Sequence, residues 1–137
     1  MTPLKRITER VSRHGDVNDQ ATIRSLLTLA EFFDGNNSIG SIGCNLIPTP
    51  EPAEFAALLG RLAARPDVVE IRMFDDPEGW SFSDTVWITT LARPDEVADW
   101  FDAWLRPDAC SRGRTPDVRF EACPVPPGMH PVACWWD

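Results

Sequence analysis

From Ile42 to Trp136 the chain alternates two hydrophobic periods in a set order, and that order limits what it can fold into more than any other feature. Ile42, Cys44 and Leu46 recur at period 2 over residues 42–47, as on one face of a strand, with Gly40 and Gly43 allowing close backbone approach or a bulge. Phe55, Leu58, Leu59 and Leu62 follow at helical spacing, on a segment that Thr49 can cap and Pro50 can begin. Val69, Ile71 and Met73 then alternate with Glu70 and Arg72, which reads as a half-buried strand. Residues 85–91 are rich in β-branched side chains, with Val86 and Ile88 on the core side. Pro94-Asp95-Glu96 opens a second helix, its acids near the positive end of the helix dipole. Val97, Trp100, Phe101, Trp104 and Leu105 form its buried stripe, and residues 132–136 supply a last candidate strand.

Strand, helix, strand, strand, helix, strand is the order of an α+β sandwich of ferredoxin-like β-α-β-β-α-β type, an antiparallel sheet with two helices on one face. A short N-terminal helical segment precedes it. Ile23, Leu26 and Leu27 lead into Thr28-Leu-Ala-Glu31, a capping box in which the threonine caps and the glutamate answers three residues on. Leu29, Phe32 and Phe33 can anchor that single turn, and residues 34–38 (Asp-Gly-Asn-Asn-Ser) form a turn after it. Residues 1–20 read as a mobile basic arm, and 21–137 as one domain, a size that buries a real core. Residues 106–117 read as loop, 118–122 as a short strand, and the proline run at 124–128 as an extended linker. An α+β sandwich of this kind hosts enzymes, ligand sensors and binding modules alike, so function has to come from particular side chains.

Charge narrows the partner. The net charge is −8, yet the first fourteen residues hold four cations against one carboxylate, which leaves the rest of the chain at −11. An acidic body repels phosphate backbones, which argues against nucleic acid and for a basic protein or a cationic ligand. No apolar run approaches the roughly 20 residues of a membrane span, and no apolar segment backs the N-terminal cations as in a secretory signal. The reading is therefore cytoplasmic, with no membrane partner, and Cys44, Cys110, Cys123 and Cys134 are expected as reduced thiols rather than a disulfide framework. The scarcity of lysine, only Lys5 against many arginines, fits a GC-rich bacterial coding sequence.

Cys110, Cys123, His130 and Cys134 are the nearest approach to a metal set, but they lack the close cysteine pairs that fix a zinc finger or ribbon. They read as buried thiols, with no metal and no cofactor. His14 and His130 sit in no nucleophile context, so no catalytic residue is assigned. The acids Asp75, Asp76, Glu78 and Asp84 cluster around Trp80 on a polar connection. Exposed tryptophan flanked by acid is the residue mix of a protein-binding hot spot, so these five form the expected contact patch for a basic partner. Trp135 and Trp136 are consecutive on a strand and must point to opposite faces. Two other readings stand beside this one. A small-molecule-binding protein or enzyme of the dimeric ferredoxin-like kind would line a pocket with Cys44, Asn45 and Trp87. A structural subunit would form a homodimer through the uncovered sheet face.

Residues 35–46 (Gly-Asn-Asn-Ser-Ile-Gly-Ser-Ile-Gly-Cys-Asn-Leu), 82–86 (Phe-Ser-Asp-Thr-Val) and the terminal Trp-Trp-Asp resemble a group of small, acidic, uncharacterised bacterial proteins over roughly residues 25–137. That resemblance carries no activity and transfers no catalytic residue. In size and acidity the chain is also similar in type to immunity proteins that neutralise toxins in interbacterial competition. The expectation is accordingly a non-enzymatic protein-binding module.

Overall fold

The structure, a computed structural model, describes residues 26–36, 41–44, 46, 49–74, 83, 85–112 and 125–136. Among these residues it is an α+β arrangement of a five-stranded antiparallel sheet and three α-helices. In chain order these are β1 (Leu26–Thr28), α1 (Leu29–Phe33), α2 (Pro52–Ala63), β2 (Val68–Phe74), β3 (Thr85–Thr90), α3 (Pro94–Asp99), β4 (Ala109–Arg112) and β5 (His130–Trp135). A 3₁₀ turn, Ala103–Leu105, follows α3. The sheet order is β1-β2-β3-β5-β4, every neighbouring pair antiparallel.

The helices begin where local chemistry dictates. Thr28 caps α1 as its sequence requires: Glu31 N–H donates to Thr28 Oγ1 at 3.1 Å, and Thr28 N–H donates to Glu31 Oε1 at 3.0 Å. The second helix starts two residues later than Thr49-Pro50 suggests. Glu51 is its N-cap, with Glu51 N–H donating to Glu54 Oε2 at 3.2 Å and Pro52 in the first turn. Thr49 turns its hydroxyl to the Leu46 carbonyl instead, at 3.0 Å. Phe55, Leu58, Leu59 and Leu62 are buried as one stripe. The third helix ends after Asp99, short of the full span 94–105; Val97, Phe101 and Leu105 keep their i, i+4, i+8 spacing and stay buried, but Trp104, expected in the same buried stripe, is turned to the surface by the 3₁₀ turn.

Two periodicities meet across the sheet. Leu27, Met73, Val86, Cys134 and Cys110 stand opposite one another in turn, one row through all five strands. Ile71, Ile88 and Val132 form the next row on the same face. Both rows pack with the helical stripes in one core, and Cys110 lies partly buried at its margin. Trp136, just past β5, closes that core: it meets Phe55 and Phe101 edge to face at 5.4 and 5.6 Å. Its indole N–H donates to the Leu105 carbonyl at 3.0 Å. Arg72, Trp87, Ala133 and Ser111 form a row on the opposite face.

The strand order differs from the ferredoxin-like one. That order would set a strand from residues 42–47 between the third strand and the last. Here β3 and β5 pair directly, from Thr85 with Trp135 to Thr90 with His130. Among the described residues, 41–43 form no strand of the sheet and pair through an isolated parallel bridge between Ile42 and Ser83, with Ser83 N–H donating to the Ser41 carbonyl at 2.7 Å. Gly43 is the physical reason. Its φ of +67° turns the chain, and a Cβ there would lie 2.7 Å from the Phe55 ring. Ile42 is buried and Leu46 partly so, but Cys44 is exposed on the turn rather than inward on a strand. The sheet gains two strands the hydrophobic pattern does not announce: β1 at one edge, and β4 at the other within the segment read as loop.

Candidate functional site

The five residues of the expected contact patch, Asp75, Asp76, Glu78, Trp80 and Asp84, lie outside the described residues, as do the basic arm, residues 118–122, Asn45 and Cys123. Of the pocket set, Cys44 is exposed on the turn against α2, and Trp87 is buried on the sheet face turned from the helices. Of the metal set, Cys110 and Cys134 are brought together, while His130 Nε2 bonds the Ala92 carbonyl at 2.7 Å. His130 is four residues along β5 from Cys134, about 13 Å at strand rise, too far to share one ion with it. Among the described residues no three His, Cys, Asp or Glu side chains gather as a metal site.

Two features stand out at the β4 end of the sheet. The first is the thiol pair. Cys110 and Cys134 are directly opposed on β4 and β5, with their sulfurs 3.4 Å apart in a thiol–thiol hydrogen bond. Cys134 is fully buried at the end of the core row, whereas Cys110 sits half-buried on the edge strand. Their protons are not equivalent. A hydrogen bond from the Cys134 S–H favours the Cys110 thiolate and holds its pKa below the ordinary thiol value, against the opposing effect of burial and with help from the Arg106 charge. The same hydrogen bond, together with burial and the charge on Cys110, pushes the Cys134 thiol well up. The first proton therefore leaves from the accessible sulfur.

The second feature is a pair of exposed tryptophans, with exposed carboxylates on α3 and the segment that follows it. Trp104 on the 3₁₀ turn is 47% exposed and Trp135 on β5 is 41% exposed. Asp95, Glu96, Asp99, Asp102 and Asp108 are exposed as well, and Asp108 N–H donates to the Trp135 carbonyl at 2.8 Å. Arg93 pairs with Asp95 and Glu96, Arg106 with Asp99 and Arg61 with Asp102, all exposed ion pairs between 2.9 and 3.3 Å. Such pairs contribute about 0–1 kcal/mol each, so an incoming cation can compete for the carboxylates. The outward tryptophan of the Trp135–Trp136 pair is the one strand alternation requires. The thiol pair is not legible from spacing, because residues 109–112 carry no alternating apolar signal, and three of the four are exposed.

Comparison with known proteins adds a family and no chemistry. The profile of the uncharacterized protein YfbO family matches residues 2–134. The chain is similar to the uncharacterized protein YfbO of Escherichia coli (strain K12), with 46% identity over 141 residues and 100% of each chain covered. No solved structure matches.

Proposed function

The chain belongs to the uncharacterised YfbO family, and on its own surface chemistry we propose that it is a non-enzymatic, cytoplasmic protein-binding module for a basic partner. The observation that carries this reading is Trp135, held on a core strand by its pairing with Thr85 and Ala109, with two-fifths of its surface exposed. A rigid aromatic side chain beside acidic groups is the arrangement that anchors cationic partners, through desolvation of the ring and charge complementarity around it. A net charge of −8 steers a basic protein from a distance. Asp75, Asp76, Glu78, Trp80 and Asp84 are proposed to extend the same contact surface. Neutralising a basic toxin, as an immunity protein does, is the concrete form of this activity. No described helix is long and apolar enough to cross a membrane.

A photo-crosslinking residue placed at Trp135, in the cell from which the protein comes, tests this directly. The expected result is one discrete adduct with a basic protein, diminished when the same irradiation is done in lysate at high salt. A second crosslinker at Trp80 should reach the same protein if residues 75–84 share the interface. No adduct at either position in the folded protein, or an unspecific ladder at both, overturns the reading.

A further inference from the structure

The geometry points to Cys110 and Cys134 as a redox-active dithiol, a site that closes to a cross-strand disulfide on meeting a low-molecular-weight disulfide. Three placements support it, none of which depends on the partner surface. The sulfurs already lie 3.4 Å apart on directly opposed residues. Opposed side chains on antiparallel strands hold their Cβ atoms about 4.5–5.5 Å apart, close to the 3.5–4.5 Å of a disulfide, so closure needs only a small approach of the strands. The strand that must move is β4, which ends the sheet order and, among the described residues, pairs with β5 alone. Finally, the two thiols divide the work. Cys110 is reachable from solvent and stands beside Arg106, while Cys134 is buried behind it and can meet only what Cys110 has captured.

The reaction balances in two displacements. The Cys110 thiolate attacks one sulfur of a disulfide RSSR, forming Cys110–S–SR and releasing RS⁻, which takes up a proton. Cys134 gives up its proton, and its sulfur attacks the Cys110 sulfur, expelling the second RS⁻. The protein loses two electrons and two protons, and RSSR becomes two RSH. Excess RSH runs the sequence backwards and restores the dithiol. Closure ties the edge strand to the last rung of the core row, so the oxidised chain carries a covalent clamp between β4 and β5.

The full chain can be equilibrated in glutathione buffers of stepped oxidised-to-reduced ratio, quenched in acid, and its free thiols alkylated. Cyanogen bromide and trypsin together place each cysteine on its own fragment: Cys44 in 25–61, Cys110 in 74–112, Cys123 in 120–129 and Cys134 in 130–137. The expected product has two fewer alkylated thiols, carries no retained glutathione at these sites, and joins fragment 74–112 to fragment 130–137. Cys134→Ser should halt at a stable glutathione adduct on Cys110, because the resolving sulfur is gone. In Cys110→Ser, Cys134 should stay unmodified while the protein is folded. The wild-type mapping decides alone if either variant fails to fold. Two free thiols at the most oxidising ratio, a lasting glutathione adduct on wild-type Cys110, or a bridge to Cys44 or Cys123 would each overturn the assignment.

Discussion

Trp135 and Trp136 are neighbours in the chain with opposite physical fates. Trp136 meets two aromatic rings and donates to the Leu105 carbonyl from a fully packed site, so Trp136→Ala should cost about 3–5 kcal/mol. Trp135 points outward, and Trp135→Ala should cost less than about 1.5 kcal/mol while weakening capture of the proposed partner. Urea midpoints for the two variants check the contrast, and equal losses would mean that the outward ring is a packing element. Glycine supplies a second contrast. Gly43→Ala places a methyl 2.7 Å from the Phe55 ring at a φ of +67° and should destabilise by about 1–3 kcal/mol. Gly60→Ala, in the middle of α2 with nothing within 4 Å, should stabilise by about 0.5–1 kcal/mol, read by the same unfolding curves. The surroundings of the two glycines set the opposite signs.

Arg65 joins elements that pattern alone leaves separate. Just past α2, it grips Asp67 with two hydrogen bonds, at 2.9 and 3.2 Å, and its guanidinium lies 3.9 Å over the Trp100 ring beyond α3. The Asp67 backbone carbonyl in turn accepts from Leu91 N–H and from the Thr90 hydroxyl, pinning the start of β2 to the end of β3. Arg65→Ala should cost about 1–2 kcal/mol, and Arg65→Lys should restore less than half, because lysine cannot form the fork and stack at once. The Arg65 hydrogen bond also holds the Asp67 carboxyl below its ordinary pKa, so the stabilisation is present above about pH 4 and lost as pH falls through the lower folded value. Arg65→Ala should flatten that acid limb in a series of unfolding curves. An unchanged limb would assign the acid sensitivity to other carboxylates.

At the scale of the molecule the sheet has one flank tied by packing and one that chemistry can tie. The row from Leu27 to Cys134 is held by burial, but its last member, Cys110, sits on a four-residue edge strand. Closing residues 110 and 134, 24 positions apart, removes loop freedom from the unfolded chain and should add about 3.5 kcal/mol, before any strain in the folded state. Unfolding the oxidised and reduced forms side by side measures this. An oxidised form no more stable than the reduced one would mean that closure distorts the sheet as much as it restrains the unfolded chain. The net charge of −8 acts at the same scale, so association with the proposed basic partner should weaken as salt rises.

What the sequence determined by itself is what short-range physics dictates. Thr28 and Glu31 must cap, the stripes through Phe55 and Val97 must be buried, Val86 and Ile88 must face inward, and Trp135 and Trp136 must diverge, because each follows from backbone period or a three-residue hydrogen bond. Tertiary structure alone decided the neighbours. Residues 42–47 have a strand's alternation, yet contact with Phe55 makes Gly43 turn, and β3 pairs with β5 directly. Residues 109–112 carry no strand signal because an exposed edge strand needs no apolar face; only hydrogen bonding to β5 makes them one and brings Cys110 to Cys134.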